Sequence, residues 1–174
     1  MFRHLLVPTD GSDLSTAAIR GAARFAADSG ARITLLYVSQ SVLLLPQGSL
    51  FGDPVLADPD LPQRLQRVER DNAEQILAQG RELVEAAGVA CAVDLAKPGL
   101  IHAEILAAAQ RHGCDLIFMA SHGRKGLGGL LLGSETQRVL THGALPVLVY
   151  REPPSSSPNS PTTSPPPATQ QQRD

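Results

Sequence analysis

Apolar residues recur along this chain in two rhythms that take turns, and their alternation predicts the fold. "RHLLVP" (3–8) is a short apolar run closed by Pro8 and reads as a strand. Leu14, Ala18, Ala22, Phe25 and Ala26 then recur at helical spacing, with Ser12 placed to cap the helix and Gly30 to stop it. "RITLLYV" (32–38) is a second strand, apolar on both faces. Leu65, Val68, Asn72, Ile76, Leu83 and Ala87 mark a long second helix ending at Gly88. "VACAVDLA" (89–96) alternates larger residues with Ala and Asp, as a strand with one less buried face does. Ile101, Ile105 and Ala108 give a third helix closed by Gly113. "DLIFMA" (115–120) is a fourth strand, apolar throughout, "SETQRVLTHG" (134–143) a fourth helix and "PVLVY" (146–150) a fifth strand.

Strands and helices alternating at this spacing predict βαβ units, hence an α/β domain with a parallel sheet and helices on both faces. The continuously apolar second and fourth strands belong inside the sheet, and the third belongs at an edge. Ligands of such sheets sit beyond the carboxyl ends of the strands, where the strand order reverses. Three loops lie there: "PTDGSD", the segment after Val38, and the glycine-rich stretch between the fourth strand and fourth helix. The segment after Val38, "SQSVLLLPQGSLFGDPVLADPDLPQ" (39–63), is long for a βα connection; a lid, a partner surface and a plain surface loop are all compatible with it.

Composition narrows the function classes. The chain has 174 residues, 43% hydrophobic and 18% charged, with a formal net charge of −2. It offers no basic field for nucleic acid or anionic membrane, and with 3% aromatics and no Trp it has no base-stacking platform. The longest leucine run, in "SVLLLP", is far too short to span a bilayer, and no signal peptide is read in "MFRHLLVPTDG", so a cytoplasmic protein is expected. Cys91 and Cys114 sit beside apolar residues and read as buried thiols. From Arg151 onward "REPPSSSPNSPTTSPPPATQQQRD" has no aliphatic residue larger than Ala168, so residues 151–174 read as a disordered Pro/Ser/Gln-rich tail after a folded domain over 1–150.

The glycine-rich stretch carries the candidate chemistry. Ser134 starts the fourth helix and Gln137 follows at capping-box spacing. A helix N-terminus presents unpaired N–H groups and partial positive charge, a natural seat for phosphate. Gly133 would let a ligand approach the backbone, and Gly123, Gly126, Gly128 and Gly129 would let the loop fold around it, with Arg124 and Lys125 adding charge. The competing reading is a capped helix after a flexible bend. The pattern is neither a P-loop nor a dinucleotide fingerprint. Asp10 carries a carboxylate able to accept two hydroxyl hydrogen bonds, or it simply closes an Asx turn.

"HLLVPTDGS", "ITLLYV" and "DLIFMASHGRKGLGGLLLGSETQRVLTHGALPVLVY" together resemble the universal stress protein family over residues 1 to 150. The family's nucleotide-binding signature, G-2x-G-9x-G-[ST], is met here in spacing by Ala120, Gly123, Gly133 and Ser134, with alanine in place of the first glycine. The resemblance implies a Rossmann-like, doubly wound domain with a five-stranded parallel sheet of order 3-2-1-4-5 and homodimers through the last strand. It implies ATP, with or without Mg²⁺, as ligand. Pro8, Thr9, Asp10 and Val38 then correspond to residues holding adenine and ribose. Ala120, Ser121, His122, Gly123, Arg124, Lys125 and Gly126, with Gly133, Ser134, Glu135 and Thr136, correspond to those holding ribose and phosphates. Alanine at 120 costs on the order of 1 kcal/mol if that position needs positive φ, and only a methyl beside the ribose if it does not.

Hydrolysis needs a metal, a positioned water and a charge clamp. Asp10 and Asp13 could touch a metal through water, Lys125 could clamp and His122 could act as a base, but no motif places a second carboxylate. His102, His112 and His142 have no ligand spacing, so no metal site and no catalytic residue is assigned. Three functions follow: an ATP-binding regulator in stress response with a protein partner the sequence does not name, a nucleotide-independent dimeric adaptor, or a slow ATPase.

Overall fold

In the computed structural model, residues 1–39, 60–121 and 132–151 are described. Among these residues nine elements follow one another: β1 (His4–Pro8), α1 (Asp13–Ser29), β2 (Arg32–Val38), α2 (Leu61–Ala86), β3 (Cys91–Ala96), α3 (Ile101–His112), β4 (Leu116–Ala120), α4 (Ser134–His142) and β5 (Val147–Tyr150). All strand pairs are parallel and the order is β3-β2-β1-β4-β5. The continuously apolar β2 and β4 lie inside and β3 lies at an edge, as their burial patterns require.

The pleat sends alternate residues to opposite faces, so the sheet builds two cores. Leu5, Val7, Ile33, Leu35, Leu116 and Phe118 pack with Ala18, Ala22 and Ala26 of α1 and with Leu77 and Val84 of α2. Leu6, Leu36, Val38, Ile117 and Met119 pack under Ile105 and Ala108 of α3 and Val139 of α4. Each fully buried leucine or isoleucine contributes roughly 1.5–3 kcal/mol against the entropy of ordering the chain.

Helix ends follow the local chemistry. Ser12 accepts the Ser15 N–H at 3.2 Å and caps α1, while Gly30 closes it in the left-handed conformation at φ 68°. The long helix forms where its spacing predicts, but its buried line runs beside the residues that marked it. Leu65 (40% exposed), Val68 (66%) and Asn72 face solvent, Ala87 lies past the helix end, and the buried line is Ala73, Leu77, Gly80 and Val84. Ile76 and Leu83 flank that line and are partly buried. The buried stripe uses small residues where α2 meets the sheet, which a count of large apolar positions overlooks.

A polar group sits within the α3 face. His4 is buried and its Nε2 lies 2.8 Å from Thr34 Oγ1. Burial, together with the positive charge of Arg32, lowers the His4 pKa despite the opposing pull of Asp115. Nearby, Asp94 takes 2.8 Å and 2.9 Å contacts from His112 and Arg111, and these outweigh its burial to hold its carboxyl below the usual range. Because His4 binds its proton less readily folded than unfolded, stability is complete above its ordinary value of about 6.5 and falls as pH drops below that toward the folded value. Chemical denaturation at pH 7.5 and pH 5.5 should give a lower stability at the acid value, with the gap narrowed in His4→Gln.

Candidate functional site

The carboxyl ends of β1 and β4, the innermost strand and its neighbour, lie where the strand order reverses, and the residues directly after them, Thr9 and Ser121, are held by main-chain bonds. Thr9 N–H donates to Leu36 C=O at 2.8 Å and so extends the β1–β2 ladder by one bond. Gly11 then takes φ 75°, a left-handed conformation that glycine adopts without strain, and turns the chain into α1. Thr9 is buried, and its hydroxyl accepts the Gly11 N–H at 3.2 Å and lies 3.1 Å from the Ser15 hydroxyl. Asp10 Oδ1 accepts the Ser12 N–H at 3.0 Å, the Asx turn that was one of its two readings. Pro8 pairs with Leu36 in register, and Val38 closes β2 on the α3 face of the sheet.

The end of β4 and the start of α4 are bonded directly to each other. Ser121 N–H donates to Tyr150 C=O at 2.8 Å, and Gly133 N–H donates to Ser121 C=O at 2.7 Å. The Thr136 hydroxyl, buried, donates to Ala120 C=O at 3.1 Å. The first turn of α4 is thereby pinned to the end of β4, although thirteen positions separate Ala120 from Gly133 in sequence. Thr136→Val keeps the shape and removes this donor; it should cost about 1–2 kcal/mol, read as a lower denaturation midpoint with an unchanged slope.

Two sequence expectations meet specific answers here. Ala120 is the last residue of β4, paired with Tyr150, so its backbone is extended and no left-handed penalty applies. Its methyl belongs to the core on the α1 side. The capping box at Ser134 does not form. The cap is Gly133, at φ −70° and ψ 154° with no side-chain hydrogen bond, and Ser134 is already the first helical residue. A glycine cap has no side-chain acceptor to turn back on the helix, so the first N–H groups of α4 are not closed by their own cap.

Glu135 has a role that sequence reasoning missed. Its Oε2 accepts the backbone N–H of His102 in α3 at 3.0 Å, and its Oε1 pairs with Arg138 at 2.6 Å. The signal available beforehand was weak: Leu100, which precedes α3, cannot cap it, so some other acceptor was required. His122, Gly123, Arg124, Lys125 and Gly126 lie outside the described residues, as do positions 40–59 of the long insert and the tail beyond Arg151. Among the described residues no group of three or more His, Cys, Asp or Glu side chains is arranged to hold a metal. No helix among them is long and apolar enough to cross a membrane. Burial raises both thiols, Cys91 and Cys114, to about 11, which keeps them protonated at neutral pH.

Fold and site define a class: a doubly wound α/β domain with a helix N-terminus and the first βα turn gathered at the carboxyl edge of the sheet. The chain belongs to the Universal stress protein family, whose profile matches residues 1–151. It is 30% identical over 151 residues to universal stress protein YxiE of Bacillus subtilis, covering 87% of this chain and all of that one. The solved structure of protein MJ0577 superposes with a TM-score of 0.72 at 25% identity, over 89% of this chain and 99% of the other. A universal stress protein solved in complex with cAMP shares the fold, with a TM-score of 0.57 at 23% identity over 86% and 96% of the two chains.

Proposed function

We propose that this universal stress protein is a regulator that binds ATP or a related adenine nucleotide at the carboxyl ends of its strands and acts in stress response. The observation that carries this reading is the first turn of α4, fixed against the end of β4 and capped by Gly133 without a side-chain acceptor. Such a helix start offers N–H groups and partial positive charge to a phosphate. The complex of a relative with cAMP supports a nucleotide as the ligand class.

In this reading Pro8, Thr9, Asp10 and Val38 meet adenine and ribose, Thr9 through its main chain because its hydroxyl is committed to the turn. Ala120 and Ser121, the loop from His122 to Gly126, and Gly133, Ser134 and Thr136 surround ribose and phosphates. Glu135 stands in the same turn, with its carboxylate directed to α3. Mg²⁺ would accompany the phosphates. A second copy of the chain would pair through β5, the edge strand opposite β3, whose four residues are only half buried. No residue is given a catalytic role, and cytoplasmic residence accompanies the reading.

The test is calorimetric titration of the purified protein with ATP, with and without Mg²⁺, and with AMP and cAMP, beside mass analysis of nucleotide carried through purification. Micromolar binding of any of these supports the reading, and the tightest of them names the ligand. No heat at millimolar concentration and no carried nucleotide would overturn it and leave the dimeric adaptor in its place.

A further inference from the structure

α3 begins without a cap of its own. Leu100 takes the cap position at φ −71° and ψ 116° and has no side chain able to accept a hydrogen bond. The His102 N–H at the second helical position is satisfied instead by Glu135, from a helix 33 residues away in sequence. The same carboxylate is held by Arg138 one turn along α4. Above it the rings of His102 and His142 pack at 5.6 Å between centroids, so α3 and α4 touch a second time. His102 Nδ1 approaches Glu135 Oε2 at 3.4 Å without hydrogen-bond geometry, so the backbone bond is the specific one.

α4 is short, nine residues, and helices of that length are marginal in water without tertiary anchors. Thr136 fixes its base to β4 and Glu135 fixes its side to α3. Two anchors at neighbouring positions on the first turn set both the place and the rotation of the helix start, where the N–H groups that follow Gly133 emerge; the Gly133 N–H itself goes to Ser121 C=O. A contact with a phosphate would ask Glu135 to bring a negative charge to an anion, which Coulomb repulsion opposes. A carboxylate already shared between an N–H donor and a guanidinium serves better as a brace.

We infer that Glu135 is a positioning residue: it supplies the missing cap of α3 and thereby clasps α3 to the first turn of α4, holding the start of α4 in the orientation its ligand requires. The effect on the ligand rests on the nucleotide reading above; the clasp does not.

The experiment compares full-length wild type, Glu135→Gln and Glu135→Ala by amide exchange at His102, thermal denaturation and nucleotide titration. Alanine removes the acceptor; glutamine keeps a carbonyl oxygen at the same reach. Glu135→Ala should exchange the His102 amide about fivefold faster or more and lower the Tm by about 2–4 °C. It should weaken nucleotide binding by about three- to tenfold, with Glu135→Gln restoring most of all three. Unchanged His102 exchange in Glu135→Ala would overturn the clasp. Equal losses of nucleotide affinity in both variants with His102 exchange intact would overturn it too, by making the carboxylate a direct ligand contact. If the wild type binds no nucleotide, the proposed function fails, and the exchange rates at His102 still decide the clasp.

Discussion

Gly133→Val should leave the fold standing and remove nucleotide binding. The position has φ −70° and ψ 154°, an extended conformation that a β-branched residue adopts readily, so backbone strain does not demand glycine there. What glycine supplies is access. A valine side chain would stand over the first N–H groups of α4, where a phosphate would have to approach. Losing one or two hydrogen bonds to a charged group removes about 3 kcal/mol, roughly a hundredfold in affinity. Thermal denaturation of the variant should stay close to wild type while calorimetry loses the heat of binding. Binding that survives unchanged would show that the ligand does not use the start of α4. A variant that unfolds would show that Gly133 serves packing instead.

Gly80→Leu, by contrast, should cause a large loss of stability, because it acts on the packing of α2 against the sheet. In an exposed helix a mid-helix glycine costs about 1 kcal/mol relative to alanine, and its replacement would be stabilising. Gly80 is buried against the sheet, however, and a Cβ added there would lie 2.9 Å from Leu35 Cδ1 and 3.2 Å from Ile19 Cδ1. Alanine asks only that two flexible side-chain ends give way, so its helix gain and packing cost nearly cancel. Leucine has to lift α2 from the sheet or displace α1, and overpacking of this kind costs about 3 kcal/mol. For a domain of this size that is a fall of about 6–12 °C in Tm. A Gly80→Leu protein as stable as wild type would mean that α2 shifts over the sheet without penalty, and the packing described for it would be wrong.

These two glycines illustrate where sequence reading holds and where it stops. The fold was legible because its causes are local. Strands β2 and β4 are continuously apolar, which only burial on both faces explains, and β3 carries Asp94 and small residues, which suit an edge. Caps at Ser12 and Gly30 were readable for the same reason, since each acts on residues within one turn of itself. The spacing of Ala120, Gly123, Gly133 and Ser134 marked the family before any coordinates did.

Tertiary contacts settled what spacing left open. The helical rhythm of Leu65, Val68 and Asn72 located α2, but these three face solvent, because the sheet takes the small residues Ala73 and Gly80 for close approach. Ser134 begins the helix as its spacing predicted, yet the cap is Gly133 rather than Ser134, with Gly133 bonded to Ser121 and Thr136 to Ala120. Ala120 could be judged only once its pairing with Tyr150 showed an extended backbone. The cap of α3 lies on another helix, and no pattern within α3 could name Glu135. Periodicity and capping depend on neighbours along the chain, so the sequence by itself determined the elements, their order and the family. The docking of α2, the seating of α4 and the partner of Glu135 depend on neighbours across the sheet and between helices, and those exist only once the chain has folded.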